Sequence, residues 1–442
     1  MTIQQRLDSL PLSRFHYRLV VLGGLGWLFD AMDNSLMALA LPALPASWNL
    51  GNSERAFLLI ASMLGMLIGA AAAGTLADRI GRQRLFQWTL LLFSVATGLC
   101  ALAQGFKSLL VLRFLVGLGL GGELPVASAL VTEFSPAAHR GRLVVLLESF
   151  WSVGALVAAL VALLIPHNPL GWRFVFLVGA LPSLYVLVLR RSMPESPRFL
   201  LSRGRQRQAL EVLRTVEAQA GQPPAPVSTS EAESAPPVGG WTGPRDLLRG
   251  RLRRRTLLLW TLWFGMVYSY YGIFNWLPTL LAAAGHTLVK TYEYTLWITL
   301  AQIPGYFAAA RLVDALGRRR TLVLFLVPCT LATLGYAVST SPAAILLCGS
   351  LISFFNLGAW GVVYTYTPEL YPTRLRGSGA GWASAAGRVG GMAAPYAVSG
   401  VLDAGGGQAG VFVMFAGVLL LTTFVALAGE ETRGRSLEEI SG

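Results

Sequence analysis

Charged and metal-binding side chains are scarce in this chain of 442 residues. Asp, Glu, Lys and Arg make up 13% of it, and it has three cysteines and four histidines. The cysteines lie far apart in or next to apolar runs, and the histidines lie near the ends of such runs or in loops. Their spacing therefore predicts no disulfide framework, metal site or catalytic triad. We predict a protein that is not an enzyme and that binds no cofactor or metal.

Hydrophobic residues, by contrast, make up 54% of the chain. They are grouped in runs long enough to cross the hydrocarbon core of a bilayer, which takes about 20 residues of helix. The sequence therefore predicts an all-α membrane protein with twelve transmembrane helices. The apolar segments span residues 17–41, 55–77, 84–103, 108–132, 142–165, 171–189, 255–283, 292–313, 320–339, 342–366, 376–402 and 408–428.

The basic residues predict a topology. The net charge of +13 comes largely from arginines in short loops after even-numbered segments and in the polar stretch 190–254. Because positively charged loops stay in the cytoplasm, both termini and the central stretch are predicted to be cytoplasmic. Arginines at that level meet anionic lipid headgroups, so the charge indicates membrane lipid as a partner and no nucleic acid.

The two halves of the chain repeat each other at a spacing of 236 residues. The matching positions are Gly74–Arg82 and Ala310–Arg318, Glu133–Gly141 and Glu369–Gly377, Trp27 and Trp263, and Pro42 and Pro278. Such a parallel repeat predicts two six-helix bundles with a substrate site between them near the middle of the membrane. The predicted division is a first bundle, a cytoplasmic linker with a surface helix and a disordered part, and a second bundle with a cytoplasmic tail: residues 1–190, 191–254 and 255–442.

The loop after the second segment has the pattern G-x-L-x-D-R-x-G-R and resembles the signature loop of the major facilitator superfamily. Asp78 in this loop can lie at the positive end of a facing helix, and Arg82 can pair with Glu133 across the cytoplasmic seam. Contacts that exist only while the cytoplasmic side is closed bias alternating access. The predicted gating residues are Asp78, Arg82, Glu133, Arg140, Asp314, Arg318, Glu369 and Arg376.

Motifs inside the membrane segments narrow the resemblance. They are Trp27–Asp33, Arg113–Ser128, Gly141–Trp151, Tyr268–Gly272, Ser353–Glu369 and Gly387–Gly391. Together they resemble the bacterial niacin (nicotinate) transporter family and, less closely, synaptic-vesicle-protein-like transporters. The loop motifs Pro194–Leu200 and Glu430–Gly434 resemble those of sugar porters. The resemblance implies a monomeric symporter of the bacterial inner membrane that imports nicotinate, or a similar small aromatic monocarboxylate, with a proton.

A small aromatic acid needs a cation for its carboxylate and flat surfaces for its ring. Arg388 is the arginine placed well inside a second-half segment, and a guanidinium pairs bidentately with a carboxylate. Gly387, Gly390 and Gly391 are expected to leave room beside it. Asn356 is expected to hydrogen-bond the ring nitrogen or a carboxylate oxygen. The ring surfaces are predicted to come from Tyr270, Tyr271, Phe355, Trp360 and Tyr364.

Acids at membrane depth are confined to the first half, where they are Asp30, Asp33, Glu123 and Glu148. An acid at that depth is costly and marks an ion or substrate path, or else a structural pair. The repeat matches these acids with Met266, Ser269, Ala359 and Ser384. The acids are therefore additions to the first bundle. We expect one of them to carry the coupling proton, with Asp30 or Asp33 ahead of Glu123, while Arg388 supplies their counter-charge across the cavity.

Two other functions stay open at this point. A related porter could carry another aromatic acid, a sugar or a drug. Segment 142–165 lacks the proline of the Gly-Pro motif expected in a drug exporter of this superfamily, and the Gln and Asn expected around a sugar are sparse. A non-transporting sensor on the same fold is the other alternative, and the intact gate loops count against it.

Overall fold

The computed structural model describes residues 3–136, 140–222, 247–250, 252–371 and 375–432. Over these residues the chain is almost entirely α-helical and contains no β-strand. The helices, numbered in chain order, are α1 (Ile3–Asp8), α2 (Arg14–Ala40), α3 (Asn52–Ile80), α4 (Arg82–Cys100), α5 (Phe106–Phe134), α6 (Arg140–Ala162), α7 (Trp172–Gly179), α8 (Pro182–Ser192), α9 (Pro197–Ser202), α10 (Gln206–Gln219), α11 (Leu252–Ala283), α12 (Leu288–Leu300), α13 (Gln302–Leu316), α14 (Arg318–Ala337), α15 (Pro342–Glu369), α16 (Arg376–Asp403) and α17 (Gly407–Leu427).

Each predicted apolar segment is helical, but two of them are divided. The sixth segment forms α7 and α8, and the eighth forms α12 and α13. Helix α8 begins at Pro182, and Pro304 lies in the first turn of α13. Proline has no N–H to donate to the carbonyl group four residues earlier, so one continuous helix does not form at either place.

The linker residues predicted to form one basic surface helix, Ser196 to Ala220, form two helices, α9 and α10. Ser196 caps α9 by accepting a hydrogen bond from the N–H of Phe199 over 3.2 Å, and Gly204 makes the turn between the two helices with a φ of 70°. A buried ion pair between Arg6 and Glu217 (Nη2–Oε1, 2.5 Å) holds α1 against α10. The stretch predicted to be disordered, 222–240, lies outside the described residues except for its first position.

Eight stretches of the described chain are long and apolar enough to cross a membrane. They are Asn52–Ala70, Leu146–His167, Trp172–Ser192, Leu252–Ala283, Leu288–Val313, Arg318–Ala337, Pro342–Glu369 and Gly407–Leu427. Helices α2, α4, α5 and α16 also have the necessary length but are not among them.

The helices of each half pack through glycines that obey the 236-residue spacing. A Cβ on Gly69 of α3 would collide with the carbonyl oxygen of Leu118 on α5, and one on Gly305 of α13 would collide with that of Phe354 on α15. Glycine at both places lets the helix backbones approach closely. The two halves therefore repeat each other both in sequence and in the way their helices pack.

Contacts divide the chain into two compact units. The first contains Met1–Asn34, Leu64–Ala155 and Phe176–Val238, and the second contains Ser35–Met63, Leu156–Val175 and Gly239–Gly442. Four of the boundaries fall within α2, α3, α6 and α7, so the second unit includes parts of first-half helices. The division at residues 190 and 254, which follows the sequence repeat, stays a prediction.

Candidate functional site

A fully buried ion pair joins α2 to α5 in the first unit. Nη2 of Arg113 lies 3.0 Å from Oδ2 of Asp33, and neither side chain is exposed. The hydroxyl of Thr97 on α4 donates to the other carboxylate oxygen, Oδ1, over 2.5 Å. Cys100, one turn later on α4, lies beside Arg113. Each charge therefore has partners from two helices, without which burial would be strongly unfavourable.

Asp33 therefore has a cation of its own within the first half, and the predicted counter-charge from Arg388 of the second unit stays a prediction. No role was predicted for Arg113 from the sequence. The signal was available, since an arginine within an apolar segment is the same feature that singled out Arg388.

Asp30 and Glu148, two other acids predicted to lie at membrane depth, have different surroundings from Asp33. Asp30, one turn before Asp33 on α2, is 1% exposed. Glu148 of α6 is 6% exposed, and its carboxylate lies next to the indole of Trp27 on α2. The rings of Trp27 and Trp151 are 4.8 Å apart. Glu148 is thus a buried acid in an aromatic environment.

Aromatic residues of the second half form a cluster between α11 and α15. The ring centroid of Trp360 lies 5.4 Å from that of Tyr270 and 6.1 Å from that of Tyr364. Trp263 lies 4.9 Å from Tyr364 and 6.2 Å from Trp360. Tyr270 and Trp263 are buried, whereas Trp360 and Tyr364 are partly exposed. The structure brings together three of the predicted ring residues and adds Trp263, for which no role was predicted.

The remaining predicted ring residues lie at the edge of this cluster or away from it. Tyr271 contacts Tyr270, with ring centroids 5.3 Å apart. Phe355 instead packs against Phe325 of α14 at 5.6 Å. The structure therefore does not bring Phe355 to the other rings, because its place on α15 turns it towards α14.

Asn356 is fully buried and ties α15 to α11. Its Nδ2 donates to Oγ of Ser269 over 3.1 Å, and Ser269 donates to the carbonyl oxygen of Met266 over 3.0 Å. Ser269 is the residue that the repeat matches with Asp33. The predicted contact of Asn356 with a substrate stays a prediction.

Arg388 is partly exposed on α16, in a turn that packs closely against α11. A Cβ on Gly390 would lie 2.6 Å from the carbonyl oxygen of Phe264, and one on Gly387 would lie 3.1 Å from the ring of Trp263. These glycines allow the two helices to approach, which corrects the expectation that they leave room beside Arg388. The contact with Trp263 places this turn next to the aromatic cluster.

A relay of polar contacts joins the helix ends of the first half. Nε of Arg82 on α4 lies 3.8 Å from Oε1 of Glu133 on α5, and the hydroxyl of Ser196 donates to Glu133. Glu195 accepts hydrogen bonds from the N–H groups of Arg82 (3.0 Å) and Gln83 (3.2 Å), which places a carboxylate at the positive end of α4. The predicted pairing of Arg82 with Glu133 is present, and it lies between two helices of the same half.

The second half repeats the relay at the 236-residue spacing. Nη2 of Arg318 lies 2.8 Å from Oε1 of Glu369, and the hydroxyl of Thr432 donates to Glu369 over 2.6 Å. Glu431 accepts a hydrogen bond from the N–H of Arg318 over 2.9 Å. Gly317 has a φ of 97°, a conformation that favours glycine, and a Cβ there would collide with Glu431. The two relays join the same matched positions, with a closer arginine–glutamate contact in the second half.

Some predicted residues have side chains outside the part of the chain that the structure describes: Asp78, Glu123, Arg140, Asp314 and Arg376. Their backbones lie in α3, α5, α6, α13 and α16. Their roles in gating and proton coupling stay predictions.

Repeated helical bundles with ionisable groups buried at membrane depth are the architecture of secondary transporters. Residues 32–442 match the family described as sugar (and other) transporter. The chain belongs to this family. It is a multi-pass membrane transporter of a small molecule and not an enzyme. The predictions of a major facilitator fold and of transport are confirmed.

Curated relatives share nearly their whole length with this chain. It is 46% identical over 448 residues to the niacin transporter NiaP of Acinetobacter baylyi, covering 100% of both chains. It is 39% identical to the putative niacin/nicotinamide transporter NiaP of Bacillus subtilis, covering 95% of this chain and 98% of the relative. It is 32% identical to the organic cation/carnitine transporter 7 of Arabidopsis thaliana, with 99% and 96% covered.

Solved structures agree on the fold. The inward open conformation of the xylose transporter XylE from E. coli has a TM-score of 0.76 at 21% identity, covering 96% of this chain and 99% of that chain. The proton:xylose symporter XylE bound to 6-bromo-6-deoxy-D-glucose has a TM-score of 0.73, also at 21% identity, covering 96% and 98%. Similarity at this level of identity establishes the fold alone.

Proposed function

We propose that this protein imports niacin as the nicotinate anion, or a similar small aromatic monocarboxylate, by alternating access together with a proton. The 46% identity over the full length to a relative named niacin transporter carries this proposal. The buried groups of the two halves support it, because one half offers a cation beside aromatic rings and the other offers a buried acid.

The second half supplies a surface suited to an aromatic carboxylate. Arg388 is a cation that can hold a carboxylate by two hydrogen bonds. Trp360 and Tyr364 are partly exposed and offer flat faces to a pyridine ring. Tyr270 and Trp263 are buried behind them and fix their positions. The substrate is thus oriented by its carboxylate at one end and by its ring at the other.

The first half supplies the proton-carrying group, and Asp33 is the acid best placed for this role. Its partner Arg113 is 3.0 Å away and equally buried. Protonation of Asp33 neutralises one member of the ion pair, which weakens the link between α2 and α5. A proton therefore shifts the balance between conformations that differ in this link. Asp30, Glu123 and Glu148 are the other acids in this half.

Contacts inside the second unit support a closed end of the transport path. The hydroxyl of Tyr292 on α12 donates to the carbonyl oxygen of Leu39 on α2 over 3.0 Å. Nδ2 of Asn52 on α3 donates to Oδ1 of Asp403 on α16 over 2.8 Å. We assign this end to the periplasmic side and the two relays to the cytoplasmic side. The remaining predicted gate residues are Asp78, Arg140, Asp314 and Arg376.

The arginine-rich loops support the placement of the protein in the membrane. They put both termini and the linker 191–254 in the cytoplasm and bring arginines to anionic lipid headgroups. The membrane is the inner membrane of a bacterium, and the transporter acts as a monomer in it.

Uptake of labelled nicotinate into proteoliposomes tests the proposal. We expect saturable uptake that accelerates when the outside is made acidic relative to the inside. Uptake no greater than that of protein-free liposomes would overturn the substrate assignment. Uptake whose rate does not depend on the pH gradient would overturn the proton coupling but not the substrate assignment.

A porter for another cargo is the second candidate, because one relative is named an organic cation/carnitine transporter. Competition by carnitine at lower concentration than by unlabelled nicotinate would favour this candidate. Nicotinate binding without counterflow would instead indicate a non-transporting sensor.

A further inference from the structure

The ion pair of Asp33 and Arg113 has a third member whose role the proposed function leaves open. Thr97 of α4 is fully buried. Its hydroxyl donates to Oδ1 of Asp33 over 2.5 Å, while Oδ2 faces Arg113 at 3.0 Å. The carboxylate is therefore held on both oxygens, by a cation on one and by a neutral donor on the other.

The hydroxyl of Thr97 is committed to this carboxylate rather than to its own helix. A serine or threonine within a helix commonly donates to the carbonyl oxygen one turn earlier. Thr89 and Ser94 of α4 do so, over 3.1 and 2.7 Å. Thr97 lies on the same helix and donates to Asp33 instead. This departure from the pattern of its neighbours indicates a specific role beside the acid.

The repeat provides the same threonine without the charges. Thr333 of α14 is matched to Thr97, and its hydroxyl donates to the carbonyl oxygen of Cys329 over 2.7 Å. The positions matched to the ion pair carry Ser269 and Gly349. Thr333 is therefore a control for the general effect of removing a buried helix hydroxyl.

Other groups around Asp33 stay the same when Thr97 is replaced. Arg113 of α5 and Cys100 of α4 lie beside the pair, Asp30 lies one turn away on α2, and Glu148 of α6 lies beside Trp27 of α2. A change at Thr97 thus isolates the effect of one hydrogen bond on the carboxylate.

We propose that Thr97 is a positioning residue that orients the carboxylate of Asp33 and thereby governs the pH dependence of transport. A donor to a carboxylate stabilises the ionised form, so loss of the hydroxyl favours the protonated form. The inference rests on the proposed function, in which protonated Asp33 is the transporting state.

The test is the initial rate of nicotinate uptake into proteoliposomes as a function of external pH, with the full chain. Thr97→Val replaces the hydroxyl with a methyl group and is expected to move the midpoint of the profile upward by about one pH unit. Thr97→Ser keeps the donor and keeps the wild-type midpoint, and Thr333→Val leaves the midpoint unchanged. Protonation of nicotinate itself is common to all variants and cancels in the comparison.

Counterflow of nicotinate at equal pH on both sides shows that a variant is folded and binds substrate. If Thr97→Val lacks counterflow, Thr97→Ala is measured in its place, and loss of counterflow in both assigns the hydroxyl to folding and overturns the inference. A pH-independent wild type overturns the proposed coupling itself. If the wild type is pH-dependent and Thr97→Val has the same profile, only the role of Thr97 is overturned. The role of Thr97 is also overturned if Thr333→Val moves the midpoint as far as Thr97→Val does.

Discussion

The two halves of this transporter share their helix-end contacts and differ in their buried charges. The shared relays join matched residues: Arg82 and Arg318, Glu133 and Glu369, and Ser196 and Thr432. Within the helices, the first half has the ion pair of Asp33 with Arg113. The matched positions of the second half carry Ser269 and Gly349. The relays belong to a scaffold common to both halves. The buried charges that differ between the halves indicate a different function for each half.

The helix contact around Arg388 is common to the two halves, but the arginine is present only in the second. Gly390 beside it and the matched Gly154 both face the backbone carbonyl of a neighbouring helix, so the contact is common to the two halves. Arg388 itself is matched by Ser152, which is 2% exposed. The second half therefore has an arginine at a helix contact that is common to both halves. We assign the proton to the charges of the first half and the substrate anion to the arginine of the second.

Removing Arg113 has the largest expected effect. Arg113→Leu leaves Asp33 buried without its cation, which is expected to destabilise the protein by about 3–5 kcal/mol and to abolish nicotinate uptake. Melting temperature and uptake measure the two effects. The double variant that adds Asp33→Asn removes both charges and is expected to recover part of the stability. A single variant as stable as the wild type contradicts the account.

Arg388→Ala is expected to weaken nicotinate binding by about tenfold or more, because a charge-assisted hydrogen bond to a carboxylate contributes about 1.5–3 kcal/mol. Arg388→Lys recovers only part of the affinity, since an ammonium group is a point charge. Arg311→Ala is the control, because Arg311 is an exposed arginine on α13. Nicotinate affinity, measured by thermal shift of the purified protein, checks this; an unchanged affinity in Arg388→Ala removes the anion anchor.

The shared helix contact predicts equal effects in the two halves. A methyl group at Gly154 or Gly390 meets a backbone carbonyl, so Gly154→Ala and Gly390→Ala are each expected to destabilise the protein by about 1–3 kcal/mol. Gly381→Ala on α16 is the control, because no atom lies within 4 Å of an added Cβ there. Denaturation curves measure the three variants, and a large difference between the two halves would break the proposed symmetry.

The relays give the smallest expected effect. Ser196→Ala and Thr432→Val each remove a hydroxyl donor to a glutamate, which is expected to lower the free energy of unfolding by about 0.5–1.5 kcal/mol. Ser196→Ala also removes the cap of α9, so its loss is expected to exceed that of Thr432→Val. A loss confined to one half would show that the relays are not equivalent.

The fold could be predicted from the sequence because its signals are local or repeated. Apolar length gives the helices, and the 236-residue spacing correctly relates Arg82 and Glu133 to Arg318 and Glu369. The breaks at Pro182 and Pro304 were not predicted, because proline is tolerated in many membrane helices and only the local geometry decides whether it ends one.

The candidate site could be predicted only in part, because partner choice depends on the rotation and depth of each helix. Asp33 and Arg113 are distant in sequence, and nothing local indicates that they meet. Phe355 and Asn356 are adjacent in sequence, yet one faces α14 and the other faces α11. The residue types were informative, but their pairings required the structure.

We expect the first half to handle the proton and the second half to handle the substrate anion. These roles are separated by measuring pH-driven accumulation and equal-pH counterflow of labelled nicotinate for Asp33→Asn and Arg388→Ala in the same proteoliposome preparation. We expect Asp33→Asn to keep counterflow and lose accumulation, whereas Arg388→Ala loses both. Accumulation by Arg388→Ala, or loss of counterflow by a folded Asp33→Asn, would contradict this division of roles.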